Sequence, residues 1–191
     1  PGHLDNILTD KAIEVLTELA AKRSPWLLNL WFFAPHAPVQ PAPEFAARYP
    51  DTPAGQYRAL VKQLDTNIGR IVAHLDKIGV LNHTIIVLVS DNGGTNGALD
   101  NNAPFHGRKI QNREGGLRAP LVIRWPDPSI NGRVIAEAIS IEDIYPTLLE
   151  AVGAPLPDNL DGVSYYPRVT GQGEAPRKPQ FQAKAKRVLF L

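Results

Sequence analysis

The stretch Thr84–Gly94 reads TIIVLVSDNGG. Up to Ser90 it is β-branched and apolar, the composition of a strand buried on both faces. An acid and an amide, Asp91 and Asn92, then stand side by side before two glycines. Asn-Gly is a strong hairpin signal, so a type I′ turn is one reading. A hairpin needs a returning strand, and residues 95–116 (TNGALDNNAPFHGRKIQNREGG) show no alternation. Long structureless stretches inside a domain are commonly functional or disordered. In open α/β sheets, ligands sit beyond the carboxyl ends of strands, which is where Asp91 and Asn92 stand. Two adjacent side-chain oxygens suit a hard cation such as Ca2+ or Mg2+. On spacing alone, the turn and the metal corner both stand.

Outward from this stretch the chain alternates helices and strands. Thr9 to Lys22 has helical spacing, with Ile13, Leu16, Leu19 and Ala20 on one face. Trp26 to Phe33 is a nearly unbroken apolar run and is expected to be a buried strand. A proline-rich loop follows, APHAPVQPAPEF at 34–45. The next helix is expected from about Ala54 to Lys77, with Tyr57, Leu60, Val61, Leu64, Ile68, Ile71, Val72 and Leu75 as its stripe and Gly79 as its stop. Pro120 to Trp125 reads as another strand. Ser140 with Asp143 three residues on resembles a capping box for a helix reaching Val152, although Pro146 lies inside it. Past Pro155 the pattern weakens. Arg168, Arg177, Lys178, Lys184, Lys186 and Arg187 against Glu174 read as a solvated segment, and the closing RVLFL reads as a strand. Apolar strands separated by helices predict an α/β fold, a partly parallel central sheet with helices on both faces.

The 191 residues suffice for one domain with a core, and a net charge of +1 argues against general nucleic-acid binding. No apolar run is long enough to span a membrane. Cysteine is absent, which excludes disulfides, thiolate metal sites and a cysteine nucleophile within these residues. Methionine is absent even at position 1, so the chain is expected to be processed or a piece of something longer.

Two further loops carry chemistry-bearing residues. His36 follows the Trp26–Phe33 run between two prolines that stiffen the backbone. The segment FHGRKIQNREGGLRAP, 105–120, holds His106, Arg108, Lys109, Arg113, Glu114 and Arg118 among glycines. Glycines permit close backbone approach and the cations suit an anion. Taken alone, this segment reads as a solvated charged loop with a Glu114–Arg118 pair.

Together these segments resemble the sulfatase family of the alkaline phosphatase superfamily. PWLLNLWFFAPHAPV (25–39) is similar to the family strand that delivers a Pro-His-x-Pro histidine. LDTNIGRIVAHLDKIGVLNHTIIVLVSDNGG (64–94) is similar to its helix, strand and Ser-Asp-Asn-Gly metal corner. PFHGRKIQNREGGLRAPLVIRWP (104–126) matches its Gly-x-Lys segment and Glu-Gly-Gly-x-Arg-x-Pro run, and ISIEDIYPTLLEAVGAPLPDNLDGVS (139–164) its later helix and Asp-Gly loop. The resemblance extends from about Pro25 to Gly171, and it rests on the order of four modest motifs.

The resemblance implies an alkaline-phosphatase-like but incomplete fold: a C-terminal portion of a catalytic domain over 1–165, and a tail, 166–191, leading into a truncated subdomain. Asp91 and Asn92 would bind a divalent cation, Ca2+ or alternatively Mg2+. His36 and Lys109 would contact the sulfate group and its bridging oxygen, opening onto the same cleft as Asp91. His106, where the family commonly has arginine, would join them in binding substrate, a sulfated small molecule or glycan. Family members also carry an Asp-Asp pair and a Cys- or Ser-x-Pro-x-Arg motif whose first residue becomes formylglycine, the nucleophile; neither is present here. Formylglycine is therefore expected in a missing N-terminal part. This chain alone is expected to be inactive and to expose apolar surface around Trp26 and Thr84. A periplasmic, secreted or lysosomal location follows from the family only. Two alternatives share the motifs: a phosphoesterase or phosphonate hydrolase of the same superfamily, and a degenerate module without turnover.

Overall fold

Helix α1 spans Leu4–Ala21 and starts ahead of the predicted Thr9, because His3 caps it: the Asp5 backbone N–H donates to His3 Nδ1 at 3.3 Å. In the computed structural model of the chain, residues 3–95, 102–174, 181–184 and 187–190 are described. They belong to two units, Pro1–Thr84 and Ile85–Leu191.

The first unit is helical. Besides α1 it contains α2 (Pro43–Ala46) and α3 (Pro53–Lys77), and α3 packs against both. Helix α3 follows its prediction closely. Thr52 Oγ1 accepts from the Gly55 N–H at 3.1 Å, Pro53 occupies the first turn where its missing N–H costs nothing, and Gly79 ends the helix at φ +74°. The buried faces are less apolar than the periodicity implies. Ala12, Leu16, Ala59, Leu60 and Leu75 share the interior with Asp5, Thr9, Gln63 and Asn67. Asn6 Oδ1 accepts from Gln63 Nε2 at 3.1 Å and Asn67 Nδ2 at 2.9 Å, while Gln63 Oε1 accepts from the Ala42 N–H at 2.7 Å. Every buried amide so named is partnered, which is what makes its burial tolerable.

Trp26–Phe33 departs from expectation. The segment is not in a sheet among the described residues. Side chains alternate between half-buried and exposed, and Leu27 and Trp31 are 83% and 80% exposed. The alternation is that of a strand, with one face lacking cover.

The second unit contains β1 (Ile86–Val89), α4 (Glu114–Leu117), β2 (Leu121–Arg124), α5 (Ile144–Ala151), α6 (Tyr166–Thr170), β3 (Phe181–Lys184) and β4 (Arg187–Phe190). β1 pairs antiparallel with β2, Ile86 opposite Arg124 and Val89 opposite Leu121. β3 and β4 form a separate antiparallel pair, so RVLFL contributes a strand over Arg187–Phe190. The parallel pairing expected of the central sheet does not occur among the described residues, whose strand pairs are both antiparallel. The core gathers Trp125, Tyr165 and Val169, with Ile85, Ile123, Ile130 and Ile139 packed against them. The predicted Ser140–Asp143 capping box forms, the Asp143 Oδ2 accepting from the Ser140 N–H at 2.8 Å. The helix then runs through a short 3-10 turn, Ile141–Asp143, before α5. Pro146 falls in the first turn of α5, where no intrahelical hydrogen bond is lost. Of the tail cations, Arg177, Lys178 and Lys186 lie outside the described residues.

Candidate active site

The predicted site residues divide between the units, and each set is built differently. His36 belongs to the first unit. Its backbone N–H closes a turn onto the Phe33 carbonyl at 3.0 Å. The arm that carries it is fixed by Asp5, a carboxylate 1% exposed in the first turn of α1. Asp5 Oδ1 accepts from the Phe33 N–H at 3.0 Å and Oδ2 from the Ala34 N–H at 3.2 Å. A charged acceptor serving two backbone donors is a strong anchor. The exposed His36 ring packs against Phe33, centroids 5.4 Å apart, and its Nδ1–H donates to the Ala37 carbonyl at 2.7 Å. That bond sets the tautomer and leaves Nε2 as the atom open to a ligand.

Asp91, Asn92, His106 and Lys109 all belong to the second unit. Asp91 and Asn92 follow the C-terminal end of β1, Asp91 exposed and Asn92 half-buried. Ser90 N–H donates to the Pro120 carbonyl at 3.1 Å, so the strand pair closes across residues 90–120 and not through a two-residue turn. The type I′ hairpin reading is thereby excluded. Asn92 Nδ2 donates to the Gly93 carbonyl at 2.9 Å, which leaves Oδ1 as its ligating atom. Lys109 is half-buried, and its backbone N–H donates to the Gly94 carbonyl at 2.9 Å. His106 is exposed, and its carbonyl accepts from the Gly115 N–H at 2.8 Å.

Glycines make this junction possible. A methyl group at Gly93 would collide with the Gly115 carbonyl, one at Gly115 with the Gly107 carbonyl, and one at Gly116 with the Arg108 and Gln111 carbonyls. The Gly93 N–H donates to the Gly116 carbonyl at 3.0 Å. Strand end, Lys109 segment and Glu-Gly-Gly run are thus packed backbone against backbone. Lys109 and Arg108, with Thr95, Ile110 and Gln111, line an open cavity of about 340 Å3 whose cations suit an anionic group. The predicted Glu114–Arg118 pair also forms, through Arg118 Nε at 3.0 Å and Nη2 at 2.8 Å, with the guanidinium 4.5 Å from the Phe105 ring centroid.

Asp91 and Asn92 offer two hard oxygens, the donor type that Ca2+ and Mg2+ prefer. Ca2+ takes about six to eight such ligands, and no cluster of three or more His, Asp or Glu side chains able to hold a metal occurs among the described residues. The two residues fit part of a hard-cation site.

A family model described as Sulfatase matches residues 1–154. The chain belongs to the sulfatase family. It is 34% identical over 183 residues to the steryl-sulfatase of Mus musculus, covering 91% of this chain and 28% of that protein. With arylsulfatase H of Homo sapiens the identity is 35% over 161 residues, covering 79% of this chain and 28% of the relative. The solved structure of Ps i-CgsB in complex with k-i-k-neocarrahexaose superposes with a TM-score of 0.83 at 30% identity, covering 90% of this chain and 39% of that one. The alkaline-phosphatase-like α/β class is therefore that of the family, of which this chain carries a part. It spans under a third of the length of these curated relatives, whose names mark them as sulfuric ester hydrolases. Among the described residues, no helix is long and apolar enough to cross a membrane.

Two residues that hold these segments in place had no signal in the sequence. Asp5 looks like any acidic residue in a first helical turn. Asn102 looks like one more polar loop residue, and its side chain reaches Gly94 and Gly107.

Proposed function

We propose that this chain forms part of a sulfatase that hydrolyses sulfate esters of a small molecule or glycan. The observation carrying this reading is the junction at Gly94, which ties the Asp91-Asn92 corner to the backbone of Lys109. That backbone tie supports a reading in which hard oxygen donors and a cation act on one substrate, the combination an ester of a strong oxyacid requires.

Cleavage of the S–O bond leaves negative charge on the departing alkoxide, and catalysis must stabilise that charge or protonate it. Lys109 supplies a cation to the sulfate group and its bridging oxygen. His36, with Nδ1–H committed to the Ala37 carbonyl, acts in its imidazolium form and gives its Nε2 proton to the leaving oxygen, ending as the neutral Nδ1–H tautomer. His106 contributes a further donor to the substrate anion. A divalent cation held by the Asp91 carboxylate and Asn92 Oδ1 would supply polarisation of the sulfate oxygens. The nucleophile is assigned to a formylglycine outside these residues, so the chain alone has the binding groups and no bond-forming one.

The test is turnover of a chromogenic aryl sulfate, beside the matching aryl phosphate, by a full-length enzyme carrying this sequence. Sulfate is the preferred substrate, Lys109→Ala lowers kcat roughly 10²–10³-fold, and His36→Ala lowers it roughly 10²–10⁴-fold. Thermal unfolding of both variants stays near that of the parent, because neither side chain belongs to a core. Preference for the phosphate ester, or unaltered turnover by Lys109→Ala, would overturn the reading. The 191-residue chain by itself shows no turnover.

A further inference from the structure

Asn102 makes more contacts to the junction than any sequence motif accounts for. Its Oδ1 accepts from the Gly94 N–H at 2.7 Å, and its Nδ2 donates to the Gly94 carbonyl at 3.0 Å. The same Nδ2 donates to the Gly107 carbonyl at 3.1 Å. One acceptor and two donors are thus all engaged, in an arrangement only a carboxamide provides. Gly94 lies two residues beyond Asn92, and Gly107 two residues before Lys109. The Gly94 carbonyl also receives the Lys109 N–H, so the side chain of Asn102 and the backbone of Lys109 share one acceptor. The Asn102 carbonyl meanwhile accepts from the Phe105 N–H at 2.8 Å and starts the turn that leads to His106. The amide occupies the position a neighbouring strand would take beside Gly94.

We propose that Asn102 is a positioning residue, fixing the backbone of Lys109 against the Asp91-Asn92 corner; this rests on the sulfatase reading of Lys109. Asn102 touches neither the ester nor the cation. Its amide sets the distance between the group that meets the sulfate and the two oxygens that meet the metal. Small displacements at a reacting centre are costly: a misplacement of about 1 Å can cost roughly 10²-fold in rate. Asn102→Asp preserves shape and keeps an acceptor for the Gly94 N–H, but it turns the other bonds into oxygen facing oxygen at Gly94 and Gly107.

Two measurements test the proposal. The first is amide hydrogen exchange on the full-length enzyme, which needs no turnover. The Gly94 and Lys109 amides are expected to be protected in the parent and to lose protection in Asn102→Asp. The second is a double-mutant cycle with aryl sulfate. Asn102→Asp lowers kcat roughly 10–100-fold with KM nearly unchanged, and in a Lys109→Ala background it adds little, because the two act through one group. A fully additive loss in that background would show a merely structural role and overturn the proposal. So would unprotected Gly94 and Lys109 amides in the parent, a result that decides the matter even if Asn102→Asp fails to fold. Unprotected amides with Lys109→Ala still impaired sink the role of Asn102 alone. Full turnover by Lys109→Ala sinks the reading of Lys109 and the proposal with it.

Discussion

His36 and Lys109 are both proposed to act on the sulfate ester, and their supports differ. His36 rides on an extended arm, pinned from one side by the buried carboxylate of Asp5. Lys109 rides on a loop whose backbone is interlocked with glycines and laced by a side-chain amide. In the first case one charged group carries the positioning; in the second it is shared between glycine contacts and the amide of Asn102. The first is broken by removing a charge, the second by adding an atom or by changing one amide.

Substitutions at each support can break that contrast. The largest effect on stability is expected from Asp5→Ala, which strands the Phe33 and Ala34 amides and costs roughly 2–4 kcal/mol, read from urea unfolding; a cost near zero would mean that the arm is fixed elsewhere. Gly93→Ala comes next. It forces a methyl into the Gly115 carbonyl and is expected to cost about 1–3 kcal/mol, with lower kcat because Lys109 moves with the Glu-Gly-Gly run. Gly69→Ala is its counterpart in α3, where an added methyl meets nothing within 4 Å. That substitution should stabilise the protein by about 0.5–1 kcal/mol, and a destabilisation would show that packing around α3 is misjudged.

The smallest effect concerns pH and sharpens the same distinction between charged and uncharged supports. The Ser140 hydroxyl, and then the backbone N–H of Glu142 itself, hold the Glu142 carboxyl below the usual range. A carboxyl lowered in the folded state contributes stability above its unfolded value, and that contribution is lost as pH falls through the folded one. Glu142 is exposed, so the contribution is at most about 0.5 kcal/mol. Stability measured across the acid range should show that small loss, and Glu142→Gln should remove it.

Elements whose ends and faces are stated locally were legible in the sequence. Helix α3 shows this, with its apolar stripe from about Ala54 and Gly79 at its end, and so does the Ser140–Asp143 cap. The order of motifs also pointed to the Lys109 corner, because glycines spaced for close approach leave a visible trace. What stayed hidden was polar burial. The interior face of α1 runs through Asp5 and Thr9, which an apolar count reads as the solvent side. The partners of Asp5 are amides at 33 and 34, and a bond from a side chain to distant backbone leaves no pattern in either segment. Trp26–Phe33 misled for the opposite reason. All but Asn29 are apolar there, so its period of two was invisible until alternate side chains proved exposed. Asn102 combines both difficulties, being polar and bonded to main chain at Gly94 and Gly107.

The opposite surroundings of two tryptophans give each unit its own optical signal. Trp31, 80% exposed in the first unit, should emit at long wavelength and yield to acrylamide. Trp125, 4% exposed and set against the Tyr166 ring in the second unit, should emit further to the blue and resist the quencher. Unfolding of the second unit can then be followed as a blue component that moves, over a red background from Trp31 to which the half-buried Trp26 of the first unit adds. Any surface that settles over Leu27 and Trp31 would announce itself by shifting the red component alone.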